Sequence, residues 1–265
     1  MLRDGSHAFT PRLSSLREIS VMLILGAIEG MTLKRPEREL LPFTVNLVTT
    51  KEDLARAVAI RASAFMRHNA PAADKLREGE KDDERDDVVL LVARSKLDGG
   101  ILGTIRLQPN LKTPMHLESV ITLPFPFSQS RCIEFIRLGV LNGSSGRLVS
   151  FALAKASYEI CVAMKMDYIF LCSRPPVDTM YRRYRFDDFL QGKKLDLHYA
   201  PGVPHTVLCL PVAEAAERWR LHSQAVYRFF IETEHPDLAI DFEQVRRRFV
   251  SREVVEPSVA LTSEG

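Results

Sequence analysis

Apolar and polar residues alternate along the first half of the chain with two different periods. Residues 43–48 (FTVNLV) alternate as in a strand, and Thr50 then begins a segment whose apolar side chains recur at helical spacing up to Phe65. Residues 88–93 and 101–107 are apolar runs joined by a short glycine-containing turn, which is typical of a β-hairpin. This pattern predicts a strand, a helix and a hairpin.

The second half of the pattern centres on a strand, a glycine loop and a helix. Residues 133–141 are an apolar run, residues 142–146 (NGSSG) have turn composition, and residues 147–164 carry an apolar stripe at helical spacing. Because another strand is predicted at 168–172, the helix makes a βαβ crossover and the strands on either side of it should be parallel. Further elements are predicted at 177–184 (helix), 206–210 (strand), 212–232 and 237–249 (helices). The order predicts an α/β domain with a mixed sheet.

Two segments interrupt this order. Residues 109–131 contain four prolines, which predicts a loop, and they include the apolar patch 123–127 (LPFPF). Residues 74–87 carry eight acidic against four basic side chains. Such a charge run is typical of a solvated helix or loop, so no core position is expected in it.

The ends of the chain are predicted to be additions to the central domain. We assign 1–40 to an N-terminal appendage, 41–212 to the main domain and 213–265 to a helical extension. The longest uncharged apolar run, 19–28, is shorter than the roughly 18 residues that a membrane-spanning helix needs. Two interpretations of the appendage stay open: a helix that packs on its own domain, or an amphipathic helix that contacts a membrane surface or a partner.

Composition excludes several classes of protein. The 265 residues are 46% hydrophobic and 26% charged, with a net charge of +2, which argues against disorder and against a nucleic-acid partner held by an overall basic field. The four cysteines form no C-x-x-C pair and lie in apolar stretches, so we expect reduced thiols and a cytoplasmic location. The seven histidines show no metal-ligand spacing, and no metal site is predicted.

Five short segments, taken in order, resemble one family. They are 61–65 (RASAF), 82–87 (DDERDD), 103–107 (GTIRL), 134–140 (EFIRLGV) and 181–186 (YRRYRF). Together with the order of elements, they resemble the GNAT acyltransferase fold, in the branch that joins N-acyl amino acid synthases to acyl-homoserine-lactone synthases. The resemblance implies a mixed sheet splayed between the two parallel strands. It also implies transfer of an acyl group from a phosphopantetheine thioester to the amine of a small acceptor.

Glu134 is the candidate general base, because aminolysis of a thioester requires a neutral amine, and Arg137 is a catalytic candidate beside it. Glu134 and Arg137 lie three residues apart in an apolar strand, so only an irregular strand would place both on one face. We therefore predict a β-bulge between residues 134 and 141. A structural Glu-Arg pair is the alternative interpretation. The resemblance adds Tyr181, five residues before Phe186, as the acid that protonates the departing thiolate.

The loop after the predicted 133–141 strand is the candidate phosphate site. Backbone N–H groups at the start of a helix favour a phosphate, so the loop should hold the pantetheine arm, although its glycines do not match the spacing of the usual GNAT loop. A tight turn with no ligand is the alternative. Apolar side chains of the neighbouring strand should contact the donor as well. The donor-binding candidates are Leu138, Val140, Gly143, Ser144, Ser145, Gly146 and Arg147.

Separate sets of residues are candidates for binding the acceptor and for docking the protein that carries the donor. The resemblance places Arg61, Phe65, Asp86 and Arg106 on the acceptor side, where an arginine can bind a carboxylate bidentately; ion pairing with 82–87 is the alternative. Autoinducer synthases carry an aromatic residue, usually Trp, shortly after the segment equivalent to 61–65, and its absence here favours a free amino acid as the acceptor. An acidic acyl carrier protein is expected to dock on Arg182, Arg183 and Arg185, the last in place of the family's common glycine.

The sequence therefore predicts an enzyme that moves a medium- or long-chain acyl group from acyl carrier protein to an amino acid, with no tightly bound cofactor. Three alternatives stay open. They are acyl-homoserine-lactone synthesis, acetyl-CoA-dependent N-acetylation, and a GNAT-like module that binds a lipidated carrier protein without catalysis.

Overall fold

The structure is a computed structural model that describes residues 36–67, 70–143, 146–197 and 202–249. Contacts divide the chain into residues 1–36 and residues 37–265, and the second unit is the one described below. The predicted appendage falls largely outside the described residues, as does the end of the predicted extension, so both boundaries stay predictions. Within the described ranges, no helix combines the length and the apolar character that crossing a bilayer requires.

The elements follow the predicted order closely. The predicted edge strand, a long helix that begins at its predicted cap Thr50, and the predicted hairpin precede the proline-rich loop; the βαβ unit and the tail follow it. In chain order the helices and strands are β1 (Glu37–Arg38), β2 (Phe43–Leu47), α1 (Lys51–Met66), α2 (Ala70–Leu76), β3 (Val89–Ser95), β4 (Ile101–Pro109), β5 (Cys132–Val140), α3 (Gly146–Ala163), β6 (Tyr168–Ser173), α4 (Val177–Arg183), β7 (Asp187–Asp188), β8 (Leu195–Asp196), β9 (Pro204–Pro211), α5 (Val212–His222), α6 (Gln224–Tyr227), β10 (Thr233–Glu234) and α7 (Phe242–Phe249).

The main sheet has the strand order β2-β3-β4-β5-β6-β9-β7, and β8 pairs with β9. Strands β5 and β6 are parallel, as the crossover predicts, whereas the other neighbouring pairs are antiparallel. The pairing between β5 and β6 covers only Cys132 to Glu134 against Tyr168 to Phe170. Both strands continue beyond these residues, so the sheet splays open there. The predicted mixed, splayed α/β fold is confirmed.

Strand β5 contains the predicted bulge. Thr104 lies opposite Gly139 and Arg106 lies opposite Ile136, so two steps along β4 correspond to three along β5. Arg137, within this interval, has a φ of 60°, in the left-handed region that non-glycine residues seldom adopt. The bulge turns the Arg137 side chain toward the face of the sheet that carries Glu134.

Helices α1 and α3 cover opposite faces of the sheet. A Cβ atom on Gly139 would lie 3.1 Å from the Arg61 Cα of α1, and one on Gly103 would lie 2.7 Å from Val149 Cγ1 of α3. Glycine is therefore the residue that lets each helix approach its strand this closely. The face toward α3 holds the larger hydrophobic core, which includes Ile105, Ile133 and Leu153.

The C-terminal elements pack on α3 rather than standing apart from the domain. The Trp219 ring of α5 contacts Tyr158 of α3 with ring centroids 4.9 Å apart, and its Nε1–H donates to the Tyr184 carbonyl at 2.7 Å. A π-helical turn, Arg228–Glu232, separates α6 from β10, and β10 pairs in parallel with β1. The tail is more broken than the two long helices that the sequence predicts, because this turn and β10 interrupt them.

Candidate active site

A cleft of about 360 Å³ opens where β5 and β6 diverge. Its walls combine apolar side chains from both strands, from α1 and from α4, with a polar edge at the ends of β6 and β9. The lining includes Phe65, Leu138, Val140, Leu171, Cys172, Val177, Met180, Tyr181 and His205. The predicted donor residues Leu138 and Val140 and the predicted acceptor residue Phe65 thus lie in one cavity.

Glu134 lies on the last rung of paired residues before the cleft begins. Its side chain is fully buried, and its Oε2 accepts a hydrogen bond from the Leu117 backbone N–H at 2.8 Å. The other oxygen, Oε1, has no hydrogen-bond partner among the described residues. Burial raises the pKa of Glu134 to about 7, although the Leu117 N–H and the charges of Arg137 and Arg106 act to lower it.

The charge of Glu134 affects Cys172, a residue that lines the cleft. Burial raises the pKa of the Cys172 thiol well above its usual value, and the negative charge of Glu134 adds to that effect. Since Cys172 lines the cleft, the Glu134 carboxylate lies within electrostatic range of the cavity. A carboxylate with a pKa near 7 is well matched to accepting a proton at neutral pH.

Tyr181 lines the opposite wall of the cleft, on α4. Its ring contacts those of Tyr184 and Phe186, with centroids 6.2 and 5.9 Å apart. Burial raises the pKa of the Tyr181 phenol above its usual value, so the group keeps its proton at neutral pH. A protonated phenol in this wall is suited to donate to a thiolate that forms in the cleft.

The candidate phosphate loop lies between Val140 and Ser150, which both line the cleft. Gly143 is exposed, Gly146 begins α3 with its N–H donating to the Gly143 carbonyl at 3.2 Å, and Arg147 is exposed in the first turn. The first turn of α3 contains no acidic residue. Ser144 and Ser145 lie outside the described residues. The loop connects β5 to α3 as predicted, and the N-terminus of α3 is oriented to favour an anion.

Three arginines on α1, β4 and β5 share two carboxylates in a charge network, and one of them, Arg137, also lines the cleft. Arg61 makes a bidentate pair with Asp83 at 2.8 and 2.9 Å, and Arg137 makes one with Glu80 at 2.8 and 2.7 Å. Arg106 Nη1 donates to both carboxylates at 3.1 Å. Arg61 and Arg106 are fully buried, so these contacts replace the hydration of their charges.

The contacts of Arg61 and Arg106 are those of the alternative interpretation, ion pairing with the acidic segment. Their partner is Asp83, however, and not Asp86, whose side chain is 79% exposed and lies 3.4 Å from Lys112 Nζ. The prediction that the acidic segment contains no core position is wrong, because Asp83 and Asp87 are 8% and 1% exposed. Arginine side chains from α1 and β4 compensate Asp83, and Arg85 pairs with Asp87 at 2.8 Å, which makes their burial tolerable.

Glu80 is the functional residue that sequence reasoning missed. Burial acts to raise the pKa of Glu80, but hydrogen bonding to Arg137 and the charges of Arg137, Arg106 and Arg61 outweigh it and lower the pKa to about 2. Its signal in the sequence is the position after Gly79, whose φ of 79° turns the chain back toward the sheet. Glu80 therefore connects the bulged residue Arg137 to the rest of the network.

The predicted docking arginines lie in different surroundings. Arg182 and Arg183 are exposed on α4, and Arg182 Nη2 pairs with Asp188 at 2.8 Å. Arg185 has a φ of 65° and donates to Ser223 Oγ at 3.1 Å and to the His222 carbonyl, so it fixes the end of α5. The left-handed backbone at Arg185 explains in physical terms why a glycine suits this position.

The apolar patch at 123–127 does not line this cleft. Leu123 is buried beside Cys132, and the Phe127 ring contacts Tyr168 at a centroid distance of 4.6 Å, at the paired ends of β5 and β6. Phe125 is 77% exposed. The four cysteines are free thiols. Across the described ranges, no cluster of three or more His, Cys, Asp or Glu residues is arranged to hold a metal ion.

Comparison with solved structures finds the same fold in two synthases. FeeM, an N-acyl amino acid synthase from uncultured soil microbes, aligns with a TM-score of 0.52 and 12% identity over 66% of this chain and 93% of that one. BjaI, a CoA-dependent acyl-homoserine lactone synthase solved with SAM and isopentyl-CoA, aligns with a TM-score of 0.53 and 16% identity over 78% of this chain and 100% of that one. No protein-family profile and no curated protein sequence matches the chain.

These alignments confirm the predicted resemblance at the level of the fold. The chain has the fold of an N-acyl amino acid synthase and of an acyl-homoserine lactone synthase. A fold does not by itself assign a reaction, so the activity must be argued from the residues around the cleft.

Proposed function

We propose that this protein is an N-acyltransferase that moves a medium- or long-chain acyl group from a phosphopantetheine thioester to the amine of an amino acid. The observation that carries the proposal is the buried Glu134 carboxylate on the last paired rung of β5 and β6, next to the residues that line the cleft. Its Oε1 has no hydrogen-bond partner among the described residues, and its pKa is about 7. A buried carboxylate left in this state costs stability, which is typical of a site that performs proton transfer.

The reaction needs two proton transfers, for which the candidates are Glu134, beside the cleft, and Tyr181, in its wall. The acceptor nitrogen attacks the thioester carbonyl, the C–N bond forms, and Glu134 takes the proton that the nitrogen loses. The C–S bond then breaks, and Tyr181 donates a proton to the departing thiolate. Because burial raises the pKa values of both groups, Glu134 can cycle near neutral pH and Tyr181 starts protonated.

The apolar walls of the cleft support a long acyl chain. Leu138, Val140, Leu171 and Met180 line it, and burying an alkyl chain against such side chains contributes about 0.8 kcal/mol per methylene. An acetyl group gains almost none of this. The proposed substrate is therefore a longer acyl thioester, whose pantetheine arm passes the loop before α3 and whose phosphate binds at Gly143, Gly146 and Arg147.

We propose acyl carrier protein as the donor's carrier. Arg182 and Arg183 are exposed on α4, Arg147 is exposed on α3, and the charge of Arg147 acts to lower the pKa of Tyr184, at the C-terminal end of α4, against its burial. Three exposed arginines at this end would steer an acidic carrier, and less so at high salt. BjaI is described as CoA-dependent, so acyl-CoA is the rival donor.

Paired rate measurements test the activity and the donor together. We expect acyl transfer to amino acids from dodecanoyl carrier protein, slower transfer from dodecanoyl-CoA and little from acetyl-CoA. The double variant Arg182→Glu, Arg183→Glu should lower kcat/KM for the carrier-protein thioester by about tenfold and leave the CoA thioester unchanged, because only the carrier contacts these side chains.

The matched control is Arg56→Glu, Arg246→Glu, which makes the same charge change on α1 and α7 and should leave both rates near wild type. Equal or better use of acetyl-CoA, or a carrier-protein rate that responds neither to salt nor to the double variant, would contradict the proposed donor. SAM belongs in the acceptor panel, because a lactone product from SAM would instead favour homoserine-lactone synthesis.

A further inference from the structure

Three neighbouring side chains on β4 and β5 keep buried polar atoms without hydrogen-bond partners in the described part of the chain. Gln108 and Glu134 lie directly opposite each other, and Arg106 lies two residues before Gln108, so all three project from one face of the sheet. Gln108 Oε1, Glu134 Oε1 and Arg106 Nη2 are the unpartnered atoms. Buried polar atoms are normally paired, so three in a row point to a ligand.

The burial and surroundings of the three atoms support this view. Gln108 is 1% exposed, and Arg106 and Glu134 are fully buried. Arg106 Nη2 lies 3.6 Å from Asp82 Oδ2, beyond ordinary hydrogen-bond distance. The three atoms therefore form a donor at Arg106 followed by two acceptors, on Gln108 and Glu134.

This order of donor and acceptors complements an α-amino acid. Two unpartnered oxygens on directly opposed residues match a group with at least two N–H bonds, which a primary amine or ammonium supplies. A guanidinium N–H beside them matches an anionic oxygen, and an α-amino acid carries its carboxylate one carbon away from its amine. A secondary amine in its neutral form has only one N–H and leaves one of the two oxygens unpaired.

We propose that Gln108 is a specificity-determining residue for the acceptor: its Oε1 and Glu134 Oε1 together bind the primary amine of an α-amino acid, while Arg106 Nη2 binds the carboxylate. This inference rests on the proposed acyl transfer. Gln108 Oε1 accepts a hydrogen bond from one N–H of the acceptor amine while Glu134 takes the transferred proton from the same nitrogen. The Gln108 side chain thereby orients the acceptor nitrogen toward the thioester carbonyl.

The loop between β4 and β5 covers these atoms. Leu117 donates its N–H to Glu134 Oε2, and Gln108 Nε2 donates to the Pro114 carbonyl at 3.5 Å, the upper limit of a hydrogen bond. The acceptor therefore requires the loop around Pro114 to move before it reaches Gln108 Oε1, and the contact between Gln108 Nε2 and the Pro114 carbonyl that holds the loop there is weak.

The test compares Gln108→Leu with wild type, using dodecanoyl carrier protein and a panel of free amino acids with their N-methyl and carboxamide derivatives. Wild type should prefer the primary amine over its N-methyl derivative by about tenfold or more. Gln108→Leu should raise the KM for the amino acid by about tenfold or more, leave the KM for the donor unchanged and reduce that preference to within about threefold. The carboxamide should bind poorly to both proteins.

Thr104→Val is the matched control. Thr104 is fully buried two residues before Arg106 on β4, its Oγ1 has no hydrogen-bond partner in the described ranges, and the substitution removes one polar atom. Thr104→Val should leave the acceptor KM, and the preference for the primary amine over its N-methyl derivative, near their wild-type values. Gln108→Met, which keeps the length of the side chain, replaces Gln108→Leu if the latter does not fold.

The outcomes separate the two proposals. Wild-type transfer with an unchanged acceptor KM and preference in folded Gln108 variants overturns the assignment of Gln108 and leaves the proposed function standing. If Thr104→Val shows the same rise in acceptor KM and the same reduced preference for the primary amine, the effect is due to packing, and the assignment of Gln108 is overturned as well. Absence of transfer from any thioester to any amine in the wild type overturns the proposed function, and this inference with it.

Discussion

Replacing Glu134 with glutamine should lower kcat by about a hundredfold or more, because the variant keeps the shape and hydrogen-bonding capacity of the side chain but cannot accept a proton. The amide oxygen of the introduced glutamine can still accept the Leu117 N–H, which in wild type donates to Glu134 Oε2 at 2.8 Å. Steady-state rates with a saturating acyl thioester and amino acid measure the effect.

The pH dependence of wild-type turnover should follow the same group. Burial raises the pKa of Glu134 to about 7, and only its ionised form is a base, so kcat should rise with pH through about 7 and then level off. Glu134→Gln should lack this rise. The charge of Glu118 contributes to raising the Glu134 pKa, so Glu118→Gln should keep most of the activity and shift the rise to lower pH.

Stability should change in the opposite direction from activity. The folded-state pKa of Glu134 lies above its value of 4.5 in an unfolded chain, so the protonated side chain favours folding and stability falls as pH rises from 4.5 through about 7. Glu134→Gln removes this loss and should unfold at a higher temperature than wild type at pH 8. If Glu134→Gln turns over substrate at the wild-type rate, Glu134 is not the general base of the reaction.

The largest loss of stability is expected from Glu80→Gln. Glu80 accepts hydrogen bonds from Arg137, Arg106 and Arg61 at 2.7 to 3.3 Å, and its side chain is 23% exposed. Removing its charge leaves three buried guanidinium groups with Asp83 as their main counter-charge, which should cost about 3 kcal/mol of unfolding free energy. Urea unfolding at pH 7 measures it.

The unfolding free energy at low pH distinguishes the loss of the Glu80 charge from a packing defect. Since the folded-state pKa of Glu80 is lowered from 4.5 to about 2, its contribution is complete above pH 4.5 and is lost as pH falls toward 2. The difference between wild type and Glu80→Gln should therefore narrow at pH 3. Glu84 is exposed in the 3₁₀ turn Lys81–Glu84, which directly follows Glu80. Glu84→Gln should therefore have the wild-type unfolding free energy at both pH values. Equal unfolding free energies for the two variants at pH 7 would show that Glu80 does not hold the network.

Local sequence patterns were sufficient to predict the framework of the site. The period of apolar residues located β5, α3 and β6, and the crossover between the two strands dictated their parallel pairing. The spacing of Glu134 and Arg137 required an irregular strand, and the register shift against β4 has that form. These features depend on residues close together in the chain, where periodicity and turn chemistry are decisive.

The charge network could not be predicted because its members are distant in sequence. Composition made residues 74–87 look solvated, whereas Asp83 is buried by arginines that come from α1 and β4. Gln108 gave no signal either, since one amide at the end of a strand is ordinary until Glu134 is seen opposite it. Pro71 lies in the first turn of α2, which begins at Ala70, because proline is tolerated at that position of a helix.

Mass spectra of lipid extracts from cells that express the protein test the central claim most directly. Cells with the wild-type chain should accumulate an N-acyl amino acid with a medium or long acyl chain, and cells with an equal amount of folded Glu134→Gln should not. If the two extracts contain the same acylated amines, or if neither differs from cells without the protein, the account of Glu134 as the base of an N-acyltransferase is contradicted.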